Sequence, residues 1–595
     1  MKYQKQFLIT TADERTWKSE KPILFLGEWC RLYKRKHLWQ KMNARVAQPY
    51  GLDPSKKDAD FIEIKKLEEK LFPEICSLLN HYHKMKQNER FWSIVIGHWF
   101  QSVLKLLINR VKTIEQCFQK EEISHTNVFN SEYASLSVPD LESALMSFND
   151  DQWNNVLYGR IIKLIYKSNV SINFLSNENN YIYQGLKFRA YTENNSLKNK
   201  ITKYANQAYK KLSNKFIKNE DAFIINSYLP SNEEFKLEIA LGQFPQRWKT
   251  LTTKINLKPN KKLRKKMEIK LQKKSDNKLE NILRVLFFEL LPVYYLEGLP
   301  NLYKIINLQP WPTSPKFIFT SNNFYRDEIF KLWTATKIVS GSKYYVGQHG
   351  NNYYTKKNMF QRIEEKTADA FITWGWSNGL PNYKPGFIFT TAGQKSSNYN
   401  PNGKLLLVET SQSMRLQTWD STVEHIKYFD DQKKFLNFLS TNPKQKIIIR
   451  LNGLQNSRRF DEVARWHDFD KKLKIDLGKT AIKNLIKNSR LVVHSYDSTG
   501  ILETLSNNIP TLAFWQNNFE HLCEKVKPKY QLLVDAGIFH LSAESASNKV
   551  NEVWDDVDAW WKQNFIQEAR KSFCNSFAKD CINPTKSMIS ILSSK

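Results

Sequence analysis

Cysteine is scarce. Six Cys in 595 residues, with no CxxC pair, exclude a disulfide scaffold and a Cys-based zinc ribbon and fit a reduced, intracellular protein. Gly (19) and Pro (20) are sparse, which excludes collagen-like and low-complexity classes. Long apolar runs are missing as well. A bilayer span needs roughly 20 predominantly apolar residues. The longest stretches are Phe91 to Ile108, interrupted by His98, Gln101 and Lys105, and Leu286 to Leu296, interrupted by Glu289 and Pro292. The N-terminus, MKYQKQFLITTADERTW, lacks a signal-peptide apolar region and cleavage site. A cytoplasmic protein is expected, at most peripheral to the inner membrane. Metal-ligand spacing is nearly absent too. His81 and His83 lie two apart and face away from each other on a helix, and His521 and Cys523 have no second pair. No metal is expected.

Acidic residues are in deficit: 59 Asp plus Glu face 90 Lys plus Arg, a formal net charge of +31. Such a surplus points to nucleic acid, an anionic membrane face or anionic substrates. Ten Lys/Arg and one acid, Glu268, fall between Lys254 and Lys274; seven Lys and no acid fall between Lys198 and Lys218. The first stretch has no aromatic on which a base would stack. The second has Tyr204, Tyr209 and Phe216, which the buried face of a helix explains equally well. Neither carries an RNP, zinc-finger or helix-turn-helix pattern, so nucleic acid is not the expected partner.

What is present is globular: 41% hydrophobic and 25% charged residues, long enough for two to four domains at roughly 150 residues each. Pro22 to Leu26 reads as a buried strand, followed by helical patterns over Phe61 to Leu79, which Pro73 should break or kink, and over Phe91 to Phe118. Residues 120–220 are polar and Asn-rich and give no clear pattern. From Ala222 the rhythm changes. Short apolar runs at Ala222 to Ile225, Lys316 to Phe319, Tyr344 to Val346, Ala370 to Thr373 and Gly386 to Phe389 read as strands of βα units. Gln394 to Lys404 is the clearest linker. Beyond it a second series is expected, with strands at Leu405 to Val408, Ile447 to Ile449, Leu491 to Val493 and Thr511 to Phe514, and a long helical tail from Ala546 to Ala578.

Two strand ends carry the chemistry. Leu491 to Val493 runs into His494-Ser-Tyr-Asp-Ser-Thr-Gly500 and then a helix. Ser498, Thr499 and Gly500 thus sit where free N–H groups and the helix dipole suit a phosphate, with Glu503 one turn in and in reach of a ribose. A plain N-cap by Asp497 or Ser498 is the alternative. Tyr344 to Val346 delivers Gln348, His349 and Gly350 to a loop on the ligand side of a parallel sheet. There His349 would act as a base or hydrogen-bond a leaving phosphate, the alternative being a turn cap. Arg415 and Arg450 follow strand ends and would pair with phosphate, or form surface ion pairs. Glu28, after the first strand, is a further acid/base candidate. Asp58-Ala-Asp60, Asp468-Phe-Asp470 and Asp556-Val-Asp558 match DxD but read as solvated acidic faces. Gly478-Lys-Thr480 lacks the first Gly of a P-loop, since Leu473 stands there, and no GxGxxG or GxSxG occurs.

Six pieces of the chain resemble the transferase family of bacterial O-antigen and surface-polysaccharide gene clusters: ILFLGEWC from Ile23, ERFWSIVIGHWF from Glu89, LGQFPQRW from Leu241, VGQHGNNY from Val346, His494 to Trp515, and DAGIFH from Asp535. The resemblance spans nearly the whole chain and is most specific in the QHG and STG…ETL…NIPT segments. It implies an α/β fold of two facing Rossmann-like domains (GT-B type), with a helical N-terminal insertion and a C-terminal helix. Residues 1–393 would be the acceptor-side domain, 394–404 the linker, 405–575 the nucleotide-sugar domain and 576–595 the tail. The Ser-Thr turn also resembles the phosphate-binding turn of GT-B sialyl- and Kdo-type transferases, which use CMP-activated acidic sugars. A departing monophosphate needs a helix dipole and Arg, and no divalent ion.

The expected function is therefore a metal-independent glycosyltransferase of surface-polysaccharide assembly. It would move an acidic, ulosonic sugar from a CMP donor to a glycan or lipid-linked acceptor at the anionic inner membrane face, with no cofactor. His349 and Glu28 are the expected catalytic residues. Gln348, Gly350, Arg415, Arg450, His494, Asp497, Ser498, Thr499, Gly500 and Glu503 are the expected donor-binding residues. A UDP- or GDP-sugar transferase, an epimerase or hydrolase on the same plan, and a nucleic-acid-binding protein are the alternatives.

Overall fold

The computed structural model describes residues 5–593 except 19–21, 52, 167–169, 177–208, 210–211, 253–254, 358–360, 395–398, 412–413, 415–424, 454–458 and 516–517. Three parallel sheets follow one another along the chain. The first holds β1 (Gln6–Ile9), β2 (Ile23–Phe25), β3 (Ala44–Val46), β4 (Ile123–Phe129) and β5 (Ser171–Leu175), in the order β3-β2-β1-β4-β5. The second holds β6 (Phe223–Ile224), β7 (Phe317–Thr320), β8 (Lys343–Gly347), β9 (Ala370–Thr373) and β10 (Tyr383–Pro385), in sequence order. The third holds β11 (Lys404–Val408), β12 (Ile447–Arg450), β13 (Lys474–Asp476), β14 (Ser489–His494), β15 (Thr511–Phe514) and β16 (Phe539–His540), in the order β13-β12-β11-β14-β15-β16. That last order reverses direction between β11 and β14, which is where Rossmann-type sheets open a ligand crevice at their carboxyl ends.

The α/β class with two facing Rossmann-like units is the one expected, and the strands of the second and third sheets lie on most of the apolar runs. All four residues of β7 are buried, so a strand covered on both faces reads as an unbroken apolar run. The run at Gly386 to Phe389 is a correction, because it pairs with no strand. Its Phe387, Ile388 and Phe389 are buried, and Ile388 N donates to Lys579 O, so the segment packs against the returning tail.

The first third also differs from expectation. A parallel sheet of its own stands where one strand and helices were expected. β5 is an edge strand with no fully buried residue, and β4 buries the polar Thr126 and Asn127. Thr126 Oγ1 donates to Leu8 O, and Asn127 Nδ2 to Thr16 O, so both polar groups are satisfied inside the sheet. Neither strand therefore presents an apolar run in sequence.

Pro73 does not break its helix, which runs from Pro54 to His83. The loss of one N–H is outweighed by the burial of Ile64, Leu67, Leu71, Phe72, Ile75 and Leu79. Glu89–Lys120 forms one helical rod with a π turn at Ser93–Gly97. It is long and apolar enough to cross a bilayer, yet 83% of its most apolar window is buried inside the protein, as a core helix. The expected long C-terminal helix is instead three helices, Ala543–Val553, Val557–Trp561 and Asn564–Phe577. After them the chain crosses back. Lys579 N donates to Trp374 O, and the helix Pro584–Ser593 packs on Ser231–Ala240 beside the second sheet.

Candidate functional site

β8 ends at Gly347, and the next residue points inward. Gln348 is 2% exposed. Its Oε1 accepts from Trp374 N (3.0 Å) and Trp376 Nε1 (2.8 Å), and its Nε2 donates to Gly350 O (2.8 Å). Gln348 thus uses its amide to fold the loop after β8. His349 is half-buried in an aromatic box, edge-on to Tyr228, Phe324, Tyr325 and Tyr353 at 5.5–6.2 Å between centroids. Its Nδ1 lies 2.9 Å from Tyr353 Oη. Tyr353 Oη donates to Glu364 Oε1 at 2.6 Å, and Glu364 Oε2 lies 3.1 Å from His98 Nε2. Tyr353, Glu364 and His98 are all buried.

Burial depresses the His349 imidazole to about 4; the Glu364 carboxylate opposes this, while Arg362 and His98 reinforce it. His349 is therefore neutral near pH 7. Burial also pushes Glu364 up, but His98, Arg362 and His349 outweigh it and hold the carboxyl down at about 2. Arg362 stacks on the Tyr353 ring, 3.5 Å from its centroid.

The other strand end meets this loop directly. Asn351 N donates to Thr499 Oγ1 (3.0 Å), and Asn351 Nδ2 to Asp497 Oδ1 (2.7 Å). A Cβ on Gly350 would stand 3.0 Å from Thr499 Oγ1, so the approach depends on glycine. The junction continues in main-chain bonds, Cys523 N to Thr355 O and Lys357 N to His521 O, both 2.8 Å. Asp497 is held from its other side by His521 Nε2 at 3.1 Å and Tyr530 Oη at 3.3 Å.

Ser498 fills the cap role: its Oγ accepts from Ile501 N at 3.3 Å and it is 3% exposed. His494 lies beneath the helix, 2% exposed, with Nδ1 3.4 Å from Ser498 Oγ and Nε2 3.4 Å from Thr504 Oγ1. Burial depresses it to about 3. A Cβ on Gly500 would stand 2.7 Å from the His494 ring. Thr499 is half-buried at the first position of the helix Thr499–Ser506. Burial raises the Glu503 carboxyl, opposed by the Thr390 hydroxyl of the facing domain, and Glu503 in turn acts on Tyr228 beside His349.

Two candidates lie elsewhere. Arg450, at the end of β12, is tied to Asp476 Oδ1 (3.1 Å) and Thr480 O (3.2 Å). Glu28 pairs with Arg31 Nε (3.1 Å), at the end of β2 in the first sheet. Arg415 lies outside the described residues. The DxD carboxylates serve caps and ion pairs: Asp58 with Lys357, Asp468 with Lys36, and Asp556 as an N-cap. Among the described residues no group of three or more His, Cys, Asp and Glu could hold a metal ion.

The sequence reading missed Tyr353, Glu364 and His98, and it missed Glu409. Tyr353 and His98 lie inside the quoted segments, but only the fold shows what they face. Glu409 directly follows β11 at the crevice and had a usable signal, a carboxylate directly after an apolar strand. It is 3% exposed; Oε2 accepts from Trp466 Nε1 at 3.3 Å, and Oε1 has no partner among the described residues. Burial, with help from Glu462, pushes it up to about 8. Below about pH 4.5 folded and unfolded chains both hold this proton. As pH rises toward 8 the unfolded chain ionises first, so stability falls. Glu409→Gln removes the effect. The variant should gain on the wild type between about pH 5 and 8 in urea midpoints, and a pH-independent difference would contradict a neutral Glu409.

No curated protein matches the chain in sequence. Among solved structures, the chain is similar to a UDP-N-acetylglucosamine 2-epimerase from Listeria monocytogenes, at 10% identity and TM-score 0.34, over 64% of this chain and 96% of that one. It is similar to WaaG, a glycosyltransferase involved in lipopolysaccharide biosynthesis, at 12% identity and TM-score 0.29, over 63% of this chain and 100% of that one. It is similar to Acinetobacter baumannii MurG at 8% identity and TM-score 0.28, over 50% of this chain and 79% of that one. All three likenesses are distant. The model of the LIC12162 family transferase matches residues 6–592, and the chain belongs to that family.

Proposed function

We propose that this transferase moves a glycosyl group from a nucleotide-activated sugar to an acceptor hydroxyl, in the cleft between the second and third sheets. The observation that carries the reading is the direct meeting of the His349 loop with the Thr499 helix terminus through Asn351 N and Thr499 Oγ1, 3.0 Å apart. The donor phosphate would sit at the first N–H groups of Thr499–Ser506, where the helix dipole favours an anion. His349, across the junction, is neutral and in reach of the reacting end. The donor in this reading is a CMP-linked acidic sugar, transferred without a divalent ion, in surface-polysaccharide assembly. The acceptor is a glycan or a lipid-linked chain. Exposed Lys262, Lys266, Lys270 and Lys274 supply positive charge for peripheral contact with an anionic cytoplasmic membrane face.

A thermal-shift comparison of CMP, UDP and GDP tests the donor. CMP at about 100 times its dissociation constant should add roughly 2.7 kcal/mol. Stabilisation by UDP or GDP alone would move the donor to those sugars. No stabilisation by any nucleotide would overturn the site.

A further inference from the structure

We propose that Tyr353 and Glu364 are positioning residues that place the imidazole proton of His349 on Nδ1. Nε2 then carries the lone pair, and His349 acts as a base on the acceptor hydroxyl instead of donating to the phosphate. The inference rests on the transferase reading above and chooses between the two roles it leaves to His349.

The Tyr353–Glu364 contacts favour one direction for each proton. Glu364 is ionised and accepts only. Tyr353 has one hydroxyl proton, and it goes to Glu364 Oε1 at 2.6 Å. The Tyr353 oxygen is then left to accept, and the group facing it at 2.9 Å is His349 Nδ1, which in this arrangement donates. Neutral imidazole has one proton, so Nε2 is bare. The Ser321 carbonyl also lies near the ring and would favour a proton on a nitrogen facing it. It competes with the Tyr353–Glu364 pair.

The other charged or titratable groups near this ring come from several elements. Arg362 precedes Glu364, His98 comes from the Glu89–Lys120 rod, and Tyr325 follows β7. Tyr228 follows β6 and is itself influenced by Arg326 and Glu503. Arg362 and His98 disfavour a second proton on the ring, and Glu364 favours it.

In the reaction, the acceptor O–H bond breaks and its proton goes to His349 Nε2. The acceptor oxygen bonds to the anomeric carbon. The anomeric carbon–phosphate oxygen bond breaks, and its electron pair leaves with the nucleotide phosphate. Glu364 remains ionised throughout and faces the imidazolium through Tyr353, as a carboxylate that orients and stabilises it without taking its proton.

Nitrogen NMR of the full chain with labelled histidine, assigned by His349→Ala, reads the tautomer near neutral pH. The expected result is unprotonated Nε2 in the wild type and a shift toward protonated Nε2 in Tyr353→Phe and Glu364→Gln. Protonated Nε2 in the wild type would overturn the proposal. Glu364→Gln, and Tyr353→Phe as the milder change, should each lower kcat by about 100-fold with little change in donor KM. Neither should cost anything further in a His349→Ala background, because both act through that ring. A loss as large in that background would mark them as structural and overturn their positioning role. If no sugar donor is turned over by the wild type, the transferase reading fails, while the tautomer measurement still decides this one.

Discussion

His349→Ala is expected to lower turnover by about 100-fold or more while leaving nucleotide affinity nearly unchanged. The ring is held by Tyr353 and boxed by Tyr228, Phe324 and Tyr325, all from the segments around the second sheet, so its removal does not touch the helix terminus proposed to hold the phosphate. Thr499→Ala should act in the opposite sense. It removes the acceptor of the Asn351 N–H and costs about 1 kcal/mol, roughly five-fold in nucleotide affinity. The pH dependence follows from the same burial. Neutral His349 is the working form, and its titration point is depressed to about 4. Turnover should therefore hold through the neutral range and fall as the pH drops through about 4, provided the chain stays folded. Steady-state kinetics and nucleotide titration of both variants decide the matter. Wild-type turnover in His349→Ala would leave that residue a turn cap and remove it from the chemistry.

Legibility of the fold tracked how strands are covered. β7, β9, β11 and β15 are buried on both faces, so their residues form apolar runs that stand out in sequence. β5 is an edge strand, and β13 is a three-residue edge strand with no buried residue. Such strands owe their place to a neighbour's backbone and carry no pattern of their own. The first sheet was hidden for a different reason, since its β1 is the central strand and every residue of it is buried. Its β1 is a four-residue run, QFLI, next to the N-terminus, and its polar residues are satisfied by groups more than a hundred positions away, as Thr126 is by Leu8.

Legibility of the site had a different limit. Strand ends marked by Gly and small polar residues announced both QHG and STG, and the structure brings Gly350, Asn351, Asp497 and Thr499 together. Which side chain faces the cleft and which faces the core was not legible. Gln348 turns inward to two tryptophans, and His494 lies under its own helix. Tyr353 lies only four positions from His349, but Glu364 and His98 reach it from fifteen and two hundred fifty-one positions away, distances that no local spacing rule spans.

The Lys-rich stretch from Lys254 to Lys274 hides a structural cation, and Arg264→Met should expose it by destabilising that region by about 3–5 kcal/mol. The stretch folds as the helix Lys261–Leu271, which turns most of its lysines to solvent and buries Arg264, Met267, Glu268 and Leu271. Arg264 has no exposed surface. Its Nε and Nη2 donate to the two oxygens of Glu297 at 2.7 Å each, and its Nη1 donates to Phe288 O (2.8 Å) and Leu291 O (2.6 Å). Those carbonyls close the helix Lys278–Leu290, whose last C=O groups have no partner within the helix. Methionine fills similar space but leaves the nearly buried Glu297 carboxylate with only the Asn260 N–H, Leu291 O with only the Ser137 hydroxyl, and Phe288 O without its arginine donor. Lysine would restore the charge but not the forked geometry, so Arg264→Lys should recover only part of the loss. Lys262→Ala, on the exposed face of the same helix, should change stability by less than about 0.5 kcal/mol. Hydrogen exchange of the amides in Lys278–Leu290 reads this locally, without assuming that the whole chain unfolds in one step. Unchanged protection in Arg264→Met would mean that Glu297 and the two carbonyls find water at no cost, and that the arginine is one more solvated charge of a basic helix.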